Sequence, residues 1–185
     1  MAIQLGAAAL PNINKVVPRM LDLVQERVKS VAALEEEEAI LCQSAVLSVE
    51  KIMSHLPHLM SPFVDKFLSC LLHPSLVDPQ AHSALFLAAK QARQRLPEII
   101  ASRILIPKLC KQREELAEMS RHSLHALFAM LEQLCKSLSQ QDVAASFPRI
   151  FKFFLDSLDL RFLALAGKTS IAGEEVVEVE GAMLV

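Results

Sequence analysis

The chain has 185 residues, of which 52% are hydrophobic, so it carries enough apolar material for a packed core and does not have the composition of a disordered segment. Four glycines and the absence of Trp and Tyr favour helices over sheets, which makes all-α the expected fold class. A formal net charge of -2 gives no overall attraction to nucleic acid, and no apolar run approaches the roughly 20 residues that span a bilayer.

Two apolar stripes with helical spacing predict the first pair of helices. One stripe runs from Ile13 to Val28 and the other from Leu41 to Leu56. Four consecutive glutamates at 35–38 stand before the second stripe, where carboxylates are favoured by the positive end of a helix dipole. This run therefore predicts a helix start rather than an interaction tail.

The joint between Pro57 and Pro62 separates this pair of helices from the next. Proline lacks an amide donor and clashes with the preceding turn, so Pro57 is expected to end a helix. Pro62 follows Ser61, and a proline behind a serine suits the first position of a new helix. The pattern predicts a helix-turn-helix joint.

Prolines also mark the expected boundaries of the helices that follow. A helix over 63–72 is predicted to end before Pro74. Asp78-Pro79 repeats the cap-and-proline pattern and is expected to open a helix that reaches about Arg95. Leu96-Pro97 is then expected to open the next element.

The second half of the chain is predicted to hold two long helices. Ile106-Pro107 marks a kink or a fresh start, and an amphipathic stretch then continues to Leu138. A polar break follows at 139–142. Phe147-Pro148 is expected to lead the last helix, with its apolar side formed by Ile150, Phe151, Phe154, Leu155, Leu158 and Leu160.

Apolar-proline pairs recur through the chain at intervals of about 40 to 50 residues, which is the period of HEAT-type helical hairpins. Such hairpins cannot bury both faces alone and must stack on neighbours. The predicted fold is an α-solenoid of about three and a half repeats, with a four-helix bundle as the alternative. The expected domains are a helical array over 1–166 (hairpins 11–56, 61–95 and 97–138, plus a helix over 140–165), a flexible acidic loop over 167–181 and the cut start of a following helix at 182–185. Apolar ends predict an internal slice of a longer solenoid, which would self-associate through those ends.

Pairs of potential metal ligands and catalytic groups occur without a complete motif. The pairs one helical turn apart are His55 with His58, Cys70 with His73 and His122 with His125, whereas zinc needs about four converging ligands. Gly167-Lys168-Thr169 resembles the end of a phosphate-binding loop, yet Phe162 stands where its first glycine belongs. Cys42, Cys70, Cys110 and Cys135 lie in apolar runs, as buried thiols of an intracellular protein do. No enzyme activity, metal site or cofactor is expected.

A basic series near the middle of the chain is the strongest candidate for a binding site. If these side chains gathered on one edge they would contact RNA phosphates, although a solvated face is the favoured reading and the lack of Trp and Tyr removes the best groups for base stacking. The candidate RNA contacts are Lys90, Arg93, Arg95, Arg103, Lys108, Lys111 and Arg113.

Three segments, taken together and in order, resemble a known family. They are 44–68 (SAVLSVEKIMSHLPHLMSPFVDKFL), 96–111 (LPEIIASRILIPKLCK) and 151–161 (FKFFLDSLDLR). They look like the C-terminal part of the family of HEAT-repeat-containing protein 1, the animal counterpart of yeast small nucleolar RNA-associated protein 10.

The resemblance implies a non-catalytic scaffold in the nucleus and nucleolus. Its family acts in the small-subunit processome, supporting maturation of pre-18S ribosomal RNA and transcription by RNA polymerase I. The implied partners are processome proteins, the remaining repeats of the parent chain and pre-ribosomal RNA, with no membrane. An unrelated HEAT-type transport adaptor is the alternative, and no binding residue of the family is fixed by a motif here.

Overall fold

The computed structural model describes residues 10–30, 35–80, 82–116 and 120–165. All regular secondary structure in these residues is helical, which confirms the all-α class. The chain divides into two compact units, one over residues 1–100 and one over residues 101–185.

Three segments named from the sequence lie outside the described residues. They are the expected acidic loop over 167–181, the expected helix start at 182–185 and the glycine-lysine-threonine at 167–169.

The described part of the first unit consists of helices. A 3₁₀ turn at Ser61–Phe63 separates two of these helices. The helices are α1 (Leu10–Ser30), α2 (Glu36–His55), α3 (Pro57–Met60), α4 (Val64–Leu71), α5 (Pro74–Val77) and α6 (Ser83–Ile99).

The core of the first unit lies where α2 packs against α1 and α6 and where α4 also contacts α1 and α6. Leu21 from α1, Met53 from α2 and Phe67 from α4 are among its largest fully buried side chains. Burying a large apolar side chain of this kind contributes about 1.5–3 kcal/mol. Packing between helices, rather than the propensity of any one of them, therefore holds this unit together.

The predicted starts and stops around α2 agree with the structure. Glu35 is the N-cap of α2, and its first turn contains three further glutamates. The helix ends at His55, where the amide of Leu56 donates to the carbonyl of Ile52. Pro57 then occupies the first turn of α3.

The structure differs from the prediction at Asp78-Pro79, which does not open a helix. The Asp78 carboxylate accepts a hydrogen bond from the amide of Gln80 at 2.8 Å. An aspartate that bonds the backbone two residues onward forms a local turn in place of a helix cap. Helix α6 starts later, at Ser83.

Leu96-Pro97 is a second boundary where the prediction was wrong. Helix α6 continues through Pro97 and ends at Ile99, and the next helix begins at Ser102. The amide of Ile100 still donates to the carbonyl of Leu96 at 2.9 Å, so the last turn closes around the proline. A proline has the φ angle of a helix, and near a helix end it disturbs few bonds.

The second unit contains α7 (Ser102–Leu116), α8 (Arg121–Ser137) and α9 (Gln140–Leu165). Helix α7 contacts both α8 and α9. The rings of Phe128 and Phe153 meet edge to face with centroids 5.6 Å apart, an arrangement favoured by the charge distribution of aromatic rings.

Two apolar-proline pairs, one predicted to mark a kink or a fresh start and one predicted to lead a helix, lie inside helices of this unit. Pro107 is an internal residue of α7, and Pro148 is an internal residue of α9, which begins at Gln140. Apolar-proline pairs therefore do not mark the start of every repeat. Packing of the long apolar faces of α7 and α9 offsets the cost of an internal proline, about 3 kcal/mol.

The predicted apolar side of α9 was wrong at Phe151 and Leu155, whereas Ile150 and Phe154 are partly buried. Phe153 is buried, whereas Phe151 and Leu155 are 50% and 46% exposed. The side chains of Leu158 and Leu160 lie outside the described residues. Helix α9 is apolar around most of its circumference, and periodicity alone does not reveal which side meets a neighbour.

Candidate interaction surface

Arg93, one of the candidate RNA contacts, is buried inside the first unit with 6% of its surface exposed. Its Nη1 donates to the carbonyl oxygen of Leu71 at 2.7 Å and to that of Leu76 at 3.3 Å. These two carbonyls lie at the C-terminal ends of α4 and α5, where helix carbonyls lack partners within the helix. Arg93 therefore holds two helix ends against α6.

The guanidinium of Arg93 remains charged despite its burial. Desolvation lowers the pKa of Arg93 to about 10, which is still far above neutral pH. The ring of Phe86 lies with its centroid 6.0 Å from the guanidinium carbon, at the outer limit for an attractive cation–ring contact. With its donors turned inward, Arg93 is not part of a phosphate-binding surface.

Arg95, the next residue in the series, is half exposed and engaged with a buried carboxylate. Its Nη1 lies 2.9 Å from Oε1 of Glu50, a residue of α2 with 6% of its surface exposed. The same carboxylate oxygen accepts a hydrogen bond from the hydroxyl of Ser54 at 2.9 Å. A buried carboxylate needs such partners, so this ion pair joins α2 to α6.

The remaining cations of the series are placed differently. Lys90 is exposed on α6, and Arg103 and Lys111 are exposed on α7, while Lys108 is partly buried. The side chain of Arg113 lies outside the described residues. RNA binding at 90–113 stays a prediction, without Arg93 among its contacts.

Three members of the histidine and cysteine pairs make local structural contacts. Nδ1 of His55 lies 2.7 Å from the carbonyl of Lys51, and His73 accepts from the amide of Ser75 at the start of α5. The thiol of Cys70 is buried and points at the carbonyl of Leu21, 3.7 Å away. Within the described residues, no three His, Cys, Asp or Glu side chains are grouped to hold a metal ion.

The cysteines differ in burial, although the sequence placed all four in apolar runs. Cys42 and Cys70 are buried, Cys110 is intermediate and Cys135 is exposed. Burial raises the pKa of Cys42, and the nearby Glu38 raises it further, while Arg27 partly opposes them. A buried thiol with a raised pKa is a poor nucleophile.

No apolar run of the sequence is long enough to span a bilayer. Among the helices that the structure describes, none is both long and apolar enough to span a membrane.

Exposed apolar side chains form the surface feature that the sequence reading missed. Four of them on α9 recur every fourth residue, which places them along one side of the helix. They are Val143 (41% exposed), Phe147 (56%), Phe151 (50%) and Leu155 (46%), and we call them the α9 ridge. The spacing was visible in the sequence, but the prediction placed Phe151 and Leu155 on the buried side of the helix.

A smaller exposed apolar group lies on α2. Ile40, Leu41 and Leu47 are 55%, 45% and 36% exposed. Exposed apolar side chains that recur on a helix are typical of surfaces that meet another element or protein.

The described helices pack through buried apolar side chains, and α2 and α9 also carry exposed ones on the side away from the core. These features define the class of this protein. It is an all-α protein of HEAT-like helical hairpins, the α-solenoid class that the sequence predicted.

Comparison with known proteins identifies the relatives within that class. The chain is 27% identical over 161 residues to "HEAT repeat-containing protein 1 homolog" of Dictyostelium discoideum, covering 85% of this chain and 7% of the relative. It is 23% identical over 159 residues to "HEAT repeat-containing protein 1" of Homo sapiens, covering 85% and 7%. For the protein of the same name from Danio rerio the identity is 24% over 182 residues, covering 97% and 8%.

These matches confirm the resemblance to HEAT repeat-containing protein 1 that the three sequence segments indicated. The chain spans less than a tenth of the length of these relatives. No family model matches the chain, and no solved structure matches it.

Proposed function

We propose that this chain is a non-catalytic scaffold segment of a nucleolar small-subunit processome protein. In this role it supports processing of pre-18S ribosomal RNA and transcription by RNA polymerase I through protein–protein contacts. The observation that carries the proposal is the likeness to HEAT repeat-containing protein 1 over 85–97% of the chain.

The surface chemistry supports a scaffold. Helical-hairpin arrays bind partners along extended surfaces rather than in a single pocket. The exposed apolar side chains of α2 and α9 are the kind that anchor such contacts, because an aromatic or aliphatic group contributes most when a partner removes it from water.

The partners under this proposal are processome proteins and the further repeats of a longer parent protein. Neither a cofactor nor a metal takes part. Within the first unit, the buried ion pair between Glu50 and Arg95 holds α2 against α6, and the bonds of Arg93 hold the ends of α4 and α5 against α6.

Co-purification with a tagged full-length parent protein tests the proposal. We expect processome subunits among the recovered proteins, and their loss when Phe67→Asp unfolds this segment. Gln91→Ala, a change at an exposed position of α6, is the control and should leave recovery unchanged. Recovery of transport factors without processome subunits would favour the unrelated adaptor and remove this proposal.

RNA binding is a second candidate function, favoured by the exposure of Arg103 and Lys111 on α7. Each phosphate contact to a single strand makes the slope of log K against log salt concentration steeper by about 0.7. We expect the affinity for a pre-ribosomal RNA fragment to be lower at the higher of two salt concentrations. We expect it to fall further when Arg103 and Lys111 are changed to glutamate. Lys15→Glu together with Arg19→Glu, at two exposed positions of α1, changes the net charge by the same amount and is the control. This surface would be excluded if the α7 variant and the α1 control lost affinity equally, or if the wild type had no affinity for the RNA.

A further inference from the structure

Helix α2 carries a continuous exposed surface on the side away from the core of the first unit. Ile40, Leu41 and Leu47 are 55%, 45% and 36% exposed, and Ser44 lies exposed between them. Ile40 and Leu47 are seven residues apart, a spacing that brings side chains to nearly the same position around a helix. We call these four residues the α2 face.

Opposite charges stand at the two ends of the α2 face. Glu37 and Lys51, both exposed, lie seven residues before and seven residues after Ser44. At 100° per residue, these three side chains fall within about 40° of one another around the helix. Glu36, also exposed, adds a second carboxylate at the acidic end. Among the described residues, none of the ion pairs includes Glu36, Glu37 or Lys51. The exposed side of α2 is thus acidic at its start, apolar along its middle and basic toward its end.

This order of side chains is complementary to itself when it is reversed. A second copy related by a two-fold axis at Ser44 runs antiparallel to the first, and it sets Glu37 of each copy against Lys51 of the other. The same operation brings Ile40 of each copy beside Leu47 of the other, because the two pairs share nearly the same centre. A parallel arrangement would set like charges against each other at both ends. The charges therefore favour the antiparallel orientation.

Ser44 suits the point where the two helices would cross. Its small side chain lets the helix axes approach to about 8–10 Å, the range in which facing side chains pack. Its hydroxyl already donates to the carbonyl of Ile40 at 2.9 Å, so covering it leaves no unsatisfied donor. Glu38 and Glu50, the other carboxylates of this stretch, have ion-pair partners within the same copy. The α2 face can therefore be covered without burying a lone charge.

We propose that two copies of this chain pair through the α2 face in an antiparallel, two-fold arrangement. Ile40 and Leu47 of the two copies form its apolar centre, and Glu36, Glu37 and Lys51 form ion pairs at its edges. A single pair of helix sides is smaller than a standard interface of about 1,200–2,000 Å², so the dissociation constant is expected to be roughly 10–100 µM. This pairing differs from the end-to-end association expected from the sequence, because it uses the side of one helix.

Sedimentation velocity of the full 185-residue chain over about 1–300 µM tests the pairing. We expect a monomer at the lowest concentration and a dimer at the highest. Lys51→Glu should weaken the dimer by about tenfold, because two-fold symmetry places the new repulsion in the interface twice. Lys90→Glu, at an exposed position of α6, changes the net charge equally and should leave the dimer unchanged.

An exchange of charges tests the antiparallel orientation. Glu36→Lys with Glu37→Lys should also weaken the dimer, and adding Lys51→Glu to the same chain should restore it, since lysines then face a glutamate again. Mixing the chain that carries only Lys51→Glu with the chain that carries only the two lysine changes should give a heterodimer, because every facing pair is then opposite in charge. Circular dichroism shows whether each variant keeps its helices. A folded exchange variant that stays monomeric would contradict the antiparallel pairing.

Cysteine cross-linking locates the two-fold axis independently of the charges. In chains with Cys135→Ser, which removes the exposed thiol, Ser44→Cys should give a disulfide-linked dimer when diamide accepts the two electrons and two protons of the thiols. Glu37→Cys is the control, because antiparallel pairing separates the two copies of this position by about 21 Å along the helix, far beyond the roughly 7 Å between Cα atoms that a disulfide allows. If the lysine changes unfold α2, this measurement decides.

Three results would overturn the proposal. One is a chain that stays monomeric at every concentration. Another is a dimer that Lys51→Glu leaves unchanged, and loss of that dimer on Phe151→Gln would place the contact on the α9 ridge instead. The third is cross-linking through Glu37→Cys rather than through Ser44→Cys, which would mean that the helices pair in parallel.

Discussion

Replacing Arg93 with alanine should destabilise the first unit more than any change at an exposed cation. The substitution removes the two hydrogen bonds that join α6 to the carbonyls of Leu71 and Leu76. It also leaves those carbonyls buried without this donor. Because the residue lies among packed side chains, the variant loses packing around the aliphatic stem as well.

The magnitude follows from opposing contributions. A hydrogen bond from a charged donor contributes about 1.5–3 kcal/mol, and the 3.3 Å bond to Leu76 is longer than the usual range and falls at the low end. The alanine variant leaves the two carbonyls without this donor at about 1–3 kcal/mol each, and that cost already includes the lost bonds. Because the variant no longer buries a guanidinium, it recovers part of this cost, and the expected net loss is about 2–4 kcal/mol.

Urea unfolding of the wild type and three variants measures this loss. Arg93→Lys should lose about half as much as Arg93→Ala, because an ammonium group on a shorter stem reaches one carbonyl. Arg95→Ala, at a half-exposed position, should lose about 1 kcal/mol or less. If Arg93→Ala unfolds within about 0.5 kcal/mol of the wild type, the two bonds to α4 and α5 do not stabilise the fold and the reasoning is refuted.

Three further predictions test the packing. Phe67→Asp should lower the free energy of unfolding by several kcal/mol because Phe67 is fully buried, whereas Leu87→Asp, at a 60% exposed position, should lower it by about 0.5 kcal/mol or less. Equal stabilities of the two variants in urea would mean that the assigned core is wrong. Iodoacetamide should alkylate the buried Cys42 about a hundredfold more slowly than the exposed Cys135 in the native protein. The difference should vanish in denaturant, and equal rates in the native protein would contradict the burial of Cys42. Pro148→Ala should stabilise α9 by about 1–3 kcal/mol and raise the melting temperature, while Pro62→Ala, in the first turn of the 3₁₀ segment, should not. An unchanged or lower melting temperature for Pro148→Ala would show that Pro148 does not destabilise the helix.

The helices were predictable because their signals are local. The acidic start of α2 and the proline that follows its end act within one turn, so residues close in sequence specify them. Asp78-Pro79 shows the limit of such signals, because the same residues suit both a helix cap and a turn. In the structure the amide of Gln80 donates to the Asp78 carboxylate, which forms the turn.

The candidate RNA surface shows a second limit. A basic residue among other basic residues is ordinarily solvated, and although Arg93 lies at helical spacing from Ala89 and Leu96, the sequence does not show which groups would accept its hydrogen bonds. Its acceptors, Leu71 and Leu76, are 22 and 17 residues away in the sequence. Neither pattern nor composition relates groups that are so far apart, so the inward direction of Arg93 was not predictable.

The sequence by itself determined the all-α class, the helical-hairpin pattern and the likeness to HEAT repeat-containing protein 1, because apolar spacing, helix boundaries and residue identities are properties of the chain. Only the tertiary structure decided that Phe153 rather than Phe151 faces the core, and that Glu50 and Arg93 lie inside the first unit. Periodicity shows which residues share a side of a helix, but the neighbouring helices determine which side is buried, and their positions depend on packing across the whole unit.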